Sequence, residues 1–139
     1  MLFIPLKKKY KKSQKGRCFK KINKNNSLCF GQYGLQLLSP FRITSKQLIT
    51  LRNNIKKKIK KKGRVIVRAF SHISVTCKPL EVRMGKGKGS VSSWVSRLKS
   101  GTIICEISTF KKILALKVLN RVRFKFPVKT RVVIKNILF

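Results

Sequence analysis

Acidic residues are nearly absent from this sequence. Glu81 and Glu106 are the only two among 139 residues, against 36 lysines and arginines. Catalysis by paired carboxylates therefore has almost no groups to use, and the single histidine, His72, is interpreted as a loop or strand-end residue. We predict that the protein is not an enzyme and has no catalytic residue, no cofactor and no small-molecule substrate.

Closely spaced metal ligands are also missing. The four cysteines lie far apart and form no C-x-x-C pair, whereas structural zinc sites use closely spaced Cys and His ligands. We predict no metal site. We interpret the four cysteines as reduced thiols that act as small apolar residues, namely Cys18, Cys29, Cys77 and Cys105.

Long hydrophobic runs do not occur either. No segment approaches the roughly twenty apolar residues that a membrane-spanning helix needs. The N-terminal "MLFIPL" is short for a signal-peptide core, Pro5 interrupts it, and a lysine run follows it. We expect no membrane span, and we expect residue 1 to be the mature start.

Positive charge is what the sequence has in excess. The formal net charge is +34 and the isoelectric point is about 11.4. Self-repulsion of this size opposes a compact state, so we expect a polyanionic partner, with DNA, RNA and an anionic membrane surface as the candidates. A chain of 139 residues can bury one modest core, which favours one domain with basic extensions.

The chain divides into a basic arm and a patterned body. Residues 1–28 contain lysine runs without helical or strand periodicity, so we predict an extended arm outside the core that orders on its partner. Residues 29–139 are predicted to form a single α+β domain.

Two helices are predicted in the body. The first follows Thr44 or Ser45 as N-cap and ends at Gly63, with an apolar face at Leu48, Leu51, Ile55 and Ile59 and a cationic face opposite. The second runs from about 110 to 125, with Thr109 as cap, Pro127 at its end and a shared face of Leu114, Val118, Leu119 and Val122.

Strands are predicted within "KTRVVIKNI" and at residues 64–70, 75–84, 93–98 and 102–107, and a short strand or a bend is predicted within "LCFGQYGLQLL". The tetrapeptide "LKSG" between the last two ranges is typical of a hairpin turn. These elements predict an α+β two-layer sandwich of two helices on a mixed or antiparallel sheet.

The segment "RMGKGKGS" at residues 83–90 is a candidate phosphate-binding loop. A P-loop needs a lysine between its last glycine and the following Ser, and this loop has none before Ser90. The dinucleotide fingerprint G-x-G-x-x-G also fails, because Gly85, Gly87 and Gly89 alternate with lysines. Two interpretations stay open: a loop that lays its backbone and charges against nucleic acid, or a solvated hairpin tip.

"KPLEVRMGKGKGSVSSWV" resembles the signature segment of the L-sixteen family of large ribosomal subunit proteins, and the resemblance extends along the chain. It includes the basic N-terminal pattern, "FGQYGLQ", "RITSKQL", Gly101, Glu106 and the stretch from Pro127 to Thr130. The acidic helix residues of bacterial members are replaced here by lysine, asparagine or apolar residues.

The resemblance implies a non-enzymatic protein that binds large-subunit ribosomal RNA, contacts neighbouring ribosomal proteins and supports tRNA acceptor arms near the peptidyl transferase centre. The candidate RNA-binding residues are Lys7, Lys8, Lys9, Lys11, Lys12, Lys15, Arg17, Arg42, Lys78, Arg83, Met84, Gly85, Lys86, Gly87, Lys88 and Gly89. The alternative is an architectural nucleic-acid-binding protein outside the ribosome, which needs a groove-reading helix or an apolar wedge.

The compartment is predicted from residue usage. Excess Lys, Asn and Ile is typical of genes rich in A and T, and a start that matches bacterial members suggests an organelle gene. We therefore expect the mitochondrial ribosome, with a plastid or a bacterial cytoplasm as the alternatives.

Overall fold

The computed structural model describes residues 3–18 and 26–135. Within these ranges the elements follow in chain order as β1 (Tyr33–Leu37), β2 (Phe41–Thr44), α1 (Ser45–Ile59), β3 (Arg64–Val67), β4 (Ile73–Cys77), β5 (Ser90–Leu98), β6 (Ile103–Ser108), α2 (Lys112–Arg123) and β7 (Thr130–Ile134).

The strands form two sheets. One has four strands in the order β3-β6-β1-β7, the other has three in the order β2-β5-β4, and each pairing is antiparallel. The two helices contact each other, α1 contacts β3, and α2 contacts β1 and β7. The predicted α+β class is confirmed, with the difference that its strands are divided between two sheets.

The turn at residues 99–102 explains that division. Gly101, with φ of +82°, donates its N–H to the carbonyl of Leu37 at 2.7 Å, and the Leu37 N–H returns a bond to Thr102 O at 3.0 Å. The turn is thereby bonded to the end of β1, and the chain crosses from the three-stranded to the four-stranded sheet. The predicted hairpin at "LKSG" is wrong, because β5 pairs with β2 and β4 while β6 pairs with β1 and β3.

Helix α1 begins where the sequence predicted. Thr44 is the N-cap: its hydroxyl accepts the Gln47 N–H at 3.3 Å, and the Gln47 side chain accepts the Thr44 N–H at 2.9 Å. The predicted apolar face is buried. The predicted end at Gly63 is wrong, since the helix stops at Ile59 and Lys60 follows as C-cap with φ of +51°.

The Thr44→Ala substitution is expected to lower the free energy of unfolding by about 1 kcal/mol, because it leaves the Gln47 N–H without its cap. Urea denaturation followed by circular dichroism measures this loss. Thr50→Ala is the matched control, because Thr50 is an exposed residue in the middle of the same helix, where alanine is well accommodated. Equal destabilisation by both variants would contradict a capping role.

Helix α2 begins later than predicted. Thr109 does not cap it: its hydroxyl donates to the carbonyl of Lys62 at 2.8 Å, and the N-cap Lys111 makes no side-chain capping bond. The helix ends at Arg123, ahead of Pro127. The buried face consists of Ala115, Val118, Leu119 and Val122, with the predicted Leu114 only partly buried.

The strand predicted at residues 75–84 forms only in its first part. Strand β4 stops at Cys77, and the residues after it form an exposed loop. Strand β2, Phe41–Thr44, was missed because its four residues run directly into the α1 cap. Among the described residues no helix has the length and apolarity to cross a membrane.

The described part of the arm, residues 3–18, lies against the body. Phe3 is buried in the main hydrophobic core, and its carbonyl accepts the Ser71 hydroxyl. Further along, the hydroxyls of Ser13 and Ser74 lie 3.0 Å apart. The prediction that the arm lies outside the core is therefore wrong at Phe3. The boundary between residues 28 and 29 stays a prediction.

Candidate nucleic-acid interface

The loop of residues 78–89 joins β4 to β5, which are paired at Cys77 and Ser90. It projects from the three-stranded sheet: the predicted residues Arg83, Lys86 and Lys88 are exposed, and the side chain of Met84 is 98% exposed. Two adjacent strands thus present a cationic loop that is anchored at both ends.

The three loop glycines are required for two different reasons. Gly85 and Gly87 have φ of +94° and +87°, and a Cβ at either position would meet no atom within 4 Å. Gly89 has no left-handed dihedral, but a Cβ there would lie 2.7 Å from the carbonyl carbon of Cys77. The left-handed backbone therefore favours glycine at the first two positions, whereas glycine at position 89 permits a close backbone approach.

The arm and the loop are bonded to each other. The Lys12 ammonium donates to the carbonyl of Lys88 at 2.5 Å, and the Lys88 ammonium donates to the carbonyl of Ser13 at 2.8 Å. Within the loop, the Lys78 ammonium donates to the carbonyl of Gly85. Segments separated by about 75 residues therefore form one cationic face, which we call the arm–loop surface (residues 5–17 and 78–94).

A groove of about 860 Å³ crosses the arm–loop surface. Trp94 lies in it, and the Lys8 ammonium stands 4.6 Å from the centroid of the Trp94 ring, a cation–π contact. Sequence reasoning did not propose Trp94 as a site residue, although it is the single tryptophan and closely follows the loop. The groove is lined by Pro5, Leu6, Lys7, Lys8, Lys11, Lys12, Ser90, Val91 and Trp94.

The remaining predicted cations lie around the arm. Arg42 on β2 donates to the carbonyl of Gly16, which places it beside Arg17. Lys9 lies over the ring of Tyr10, 5.5 Å from its centroid, and Lys15 is exposed. The structure thus brings Lys7, Lys8, Lys11, Lys12 and Lys88 together, with Arg17 and Arg42 in a second group.

A buried ion pair holds the segment before β1 against the body. The Glu106 side chain is fully buried and its carboxylate lies 2.8 Å from the Arg68 guanidinium. It also accepts the backbone N–H groups of Cys29, Phe30 and Gly31, the last two at 2.7 Å. Burial alone would raise the Glu106 pKa, but these N–H donors and Arg68 hold it below its usual value.

The cysteines fit the sequence interpretation only in part. All four are free, and Cys105 is buried in the core, where desolvation raises its thiol pKa to about 12. It behaves as a small apolar residue, whereas Cys29 and Cys77 are exposed. No group of His, Cys, Asp and Glu within residues 3–18 and 26–135 could hold a metal ion.

Comparison with known proteins supports the resemblance found in the sequence. Residues 5–133 match the family described as Ribosomal protein L16p/L10e. The large ribosomal subunit protein uL16 of Erythrobacter litoralis is 43% identical over 129 residues, which cover 93% of this chain and 90% of that protein. The uL16 protein of Sphingopyxis alaskensis is 41% identical over the same shares of both chains. With 93% of its length aligned at this identity, the chain belongs to the ribosomal protein L16p/L10e family.

Proposed function

We propose that the chain is a structural, non-enzymatic constituent of the large ribosomal subunit and binds its RNA through the arm–loop surface. The observation that carries this proposal is the pair of hydrogen bonds from Lys12 to the Lys88 carbonyl and from Lys88 to the Ser13 carbonyl, which joins arm and loop into one cationic face. Such a face neutralises crowded phosphates, and its glycines let the backbone approach irregular RNA closely. Family membership supports the same role.

The exposed tip of the loop is the part that we assign to tRNA. Arg83 and Lys86 extend from it into solvent, and the left-handed glycines beside them present the backbone N–H groups without side-chain cover. These features suit contact with the phosphates of a tRNA acceptor arm. We propose that the tip supports tRNA accommodation near the peptidyl transferase centre, while the rest of the surface contacts ribosomal RNA and neighbouring ribosomal proteins.

Affinity for an RNA fragment should fall steeply with salt, because each neutralised phosphate releases counterions. Neutralisation of about six to ten phosphates lowers the affinity by roughly 10³- to 10⁵-fold between 50 and 200 mM salt. Fluorescence anisotropy over this range measures the slope. Glutamine substitutions at five lysines of this surface should flatten the salt slope, and the matched arginine variant should preserve it. The five lysines are Lys7, Lys8, Lys11, Lys12 and Lys88. A slope insensitive to the glutamine substitutions would contradict the assignment of this surface.

Co-sedimentation separates the ribosomal role from the architectural alternative. Recovery of the protein with large subunits after a high-salt wash supports the proposal, whereas recovery with DNA overturns it.

We also propose that the ribosome is mitochondrial, on the basis of the Lys, Asn and Ile usage of the chain. The two compared relatives are bacterial proteins, so a bacterial ribosome is the alternative. Mass spectrometry of ribosomes from purified mitochondria decides between them through peptides of this chain.

A further inference from the structure

A second cationic groove lies at the end of the four-stranded sheet and shares no residue with the arm–loop surface. It has a volume of about 470 Å³ and forms where the segment after α1 meets the segment between β6 and α2. We call it the Phe110 groove, and it is lined by Gln32, Lys61, Lys62, Gly63, Arg64, Ser108, Thr109 and Phe110.

The floor of the Phe110 groove is held in place by close backbone packing. A Cβ at Gly63 would lie 2.6 Å from the carbonyl oxygen of Ser108 and 2.9 Å from the Cβ of Thr109, so the two segments touch at this glycine. The Thr109 hydroxyl bonds to the carbonyl of Lys62 at 2.8 Å. The sequence interpretation of Gly63 as a helix stop missed this role, which is to join the walls of the groove.

The chemistry of the groove combines one aromatic ring with several cations. Phe110 is fully exposed. Lys61, Lys62 and Arg64 line the groove beside it, and the next two residues along the chain are exposed lysines. A fully solvated phenyl ring gains nothing from the fold itself, since exposing apolar area to water is unfavourable.

We propose that the Phe110 groove binds an unpaired segment of RNA, with a base stacked on the Phe110 ring and the flanking phosphates on Lys61, Lys62 and Arg64. Proteins recognise single-stranded RNA by stacking unpaired bases on exposed aromatic side chains next to cations that follow the backbone. The inference rests on the RNA-binding part of the proposed function and adds a second surface that the arm and loop do not reach.

A protein partner is the less favoured occupant. The core of a protein interface is a contiguous apolar patch, and the lining of this groove beyond Phe110 is polar or cationic. The nearest exposed apolar residue along α2 is Ile113, 82% exposed, and it does not line the groove. Ile113 is therefore the matched control, since a protein docked on this face of α2 would bury both residues.

Photocrosslinking tests the stacking directly. The full-length chain is mixed with a single-stranded oligouridine RNA that carries 5-iodouridine, irradiated, digested and analysed by mass spectrometry. We expect a crosslink at Phe110 that Phe110→Ala abolishes and that Phe110→Tyr and Ile113→Ala preserve. A crosslink pattern without Phe110 overturns the inference.

Affinity measurements at several salt concentrations distinguish a loss of base stacking from a loss of charge. They use the chain with the five glutamine substitutions in the arm–loop surface, so that the groove contributes most of the binding. There, Phe110→Ala should weaken binding of the same oligonucleotide roughly 5- to 150-fold at an unchanged salt slope. Substituting Lys61 and Lys62 by glutamine should instead reduce the slope by about 1.4, or 0.7 for each cation.

Two affinity results would also overturn the inference. One is an affinity unchanged by Phe110→Ala, and the other is an equal loss of RNA affinity with Ile113→Ala, which would show that the loss does not depend on a base stacked on the Phe110 ring. Incorporation of the unmodified chain into large subunits is scored separately. Normal incorporation without a Phe110 crosslink refutes only this inference, and failure of incorporation refutes the proposed function.

Discussion

Replacing Glu106 with alanine is expected to lower the free energy of unfolding by about 3–5 kcal/mol, because removing one partner of a buried ion pair leaves the other uncompensated. The Arg68 side chain is only 15% exposed, so water replaces the lost carboxylate poorly. Three backbone N–H groups that bond to Glu106, including those of Phe30 and Gly31, also lose their acceptor. Urea unfolding followed by circular dichroism at moderate salt measures the loss.

The other acidic residue is the matched control. Glu81 lies in the exposed loop, so Glu81→Ala removes the same charge without uncovering a buried donor. We expect its effect on stability to stay within about 0.5 kcal/mol. Similar losses in the two variants would mean that the contribution of Glu106 is only its charge within a strongly cationic chain, which would contradict the buried-pair account.

The same carboxylate predicts how stability depends on pH. The folded-state pKa of Glu106 lies below its usual value of 4.5, so the unfolded chain takes up its proton first as the pH falls. The stabilisation is complete above that value and is lost as the pH falls through the folded-state pKa. Glu106→Gln should remove most of this acid-side dependence, and an unchanged dependence would assign it to other groups.

Local sequence signals predicted α1 well and the strand pairing poorly. The α1 cap and apolar spacing act within one or two helical turns, so the sequence alone fixes Thr44 and the buried face. Strand partners depend on contacts between distant residues. The turn at Gly101 has hairpin composition, yet its bonds go to Leu37 on another strand, and no local pattern indicates that.

In the candidate site, too, the sequence predicted the local features and missed the contacts between distant residues. Composition identified the arm and the loop as cationic, because charge is visible residue by residue. The hydrogen bond from Lys12 to Lys88 that joins arm and loop connects residues 76 positions apart in the sequence. The burial of Phe3 likewise depends on a core that the rest of the chain assembles. Glu106 was noted as a position shared with the family, while its role as an acceptor for the segment before β1 required the structure.

Arg83→Glu in the loop tip is expected to leave incorporation into the large subunit nearly unchanged and to weaken tRNA binding about tenfold to a hundredfold. A hydrogen bond to a charged group contributes about 1.5–3 kcal/mol. Arg83 is exposed, so the substitution should not disturb the core. Purified subunits carrying the variant are scored for occupancy of this protein and for tRNA binding at saturating magnesium. Glu81→Gln is the control in the same loop.

Gly87→Val tests the backbone of the loop in the same assay. Its φ of +87° is strained for a β-branched residue, while the space around it is open, so valine should reshape the tip without disturbing the body. Gly87→Asn is the milder variant, because asparagine tolerates left-handed dihedrals better. We expect tRNA binding to decrease from glycine through asparagine to valine at constant occupancy.

Substitutions in the arm, unlike those in the loop, should lower the occupancy of this protein in the large subunit. Deleting residues 1–17 would also remove the core side chain of Phe3, so a loss of incorporation by that variant would mix stability with RNA contact. Glutamine at Lys7, Lys8, Lys11 and Lys12 removes the charges and keeps Phe3, and it should lower occupancy itself. If the loop variants assemble and bind tRNA normally while the arm variant loses occupancy, then "RMGKGKGS" is a solvated hairpin tip and the assignment of tRNA binding to it is wrong.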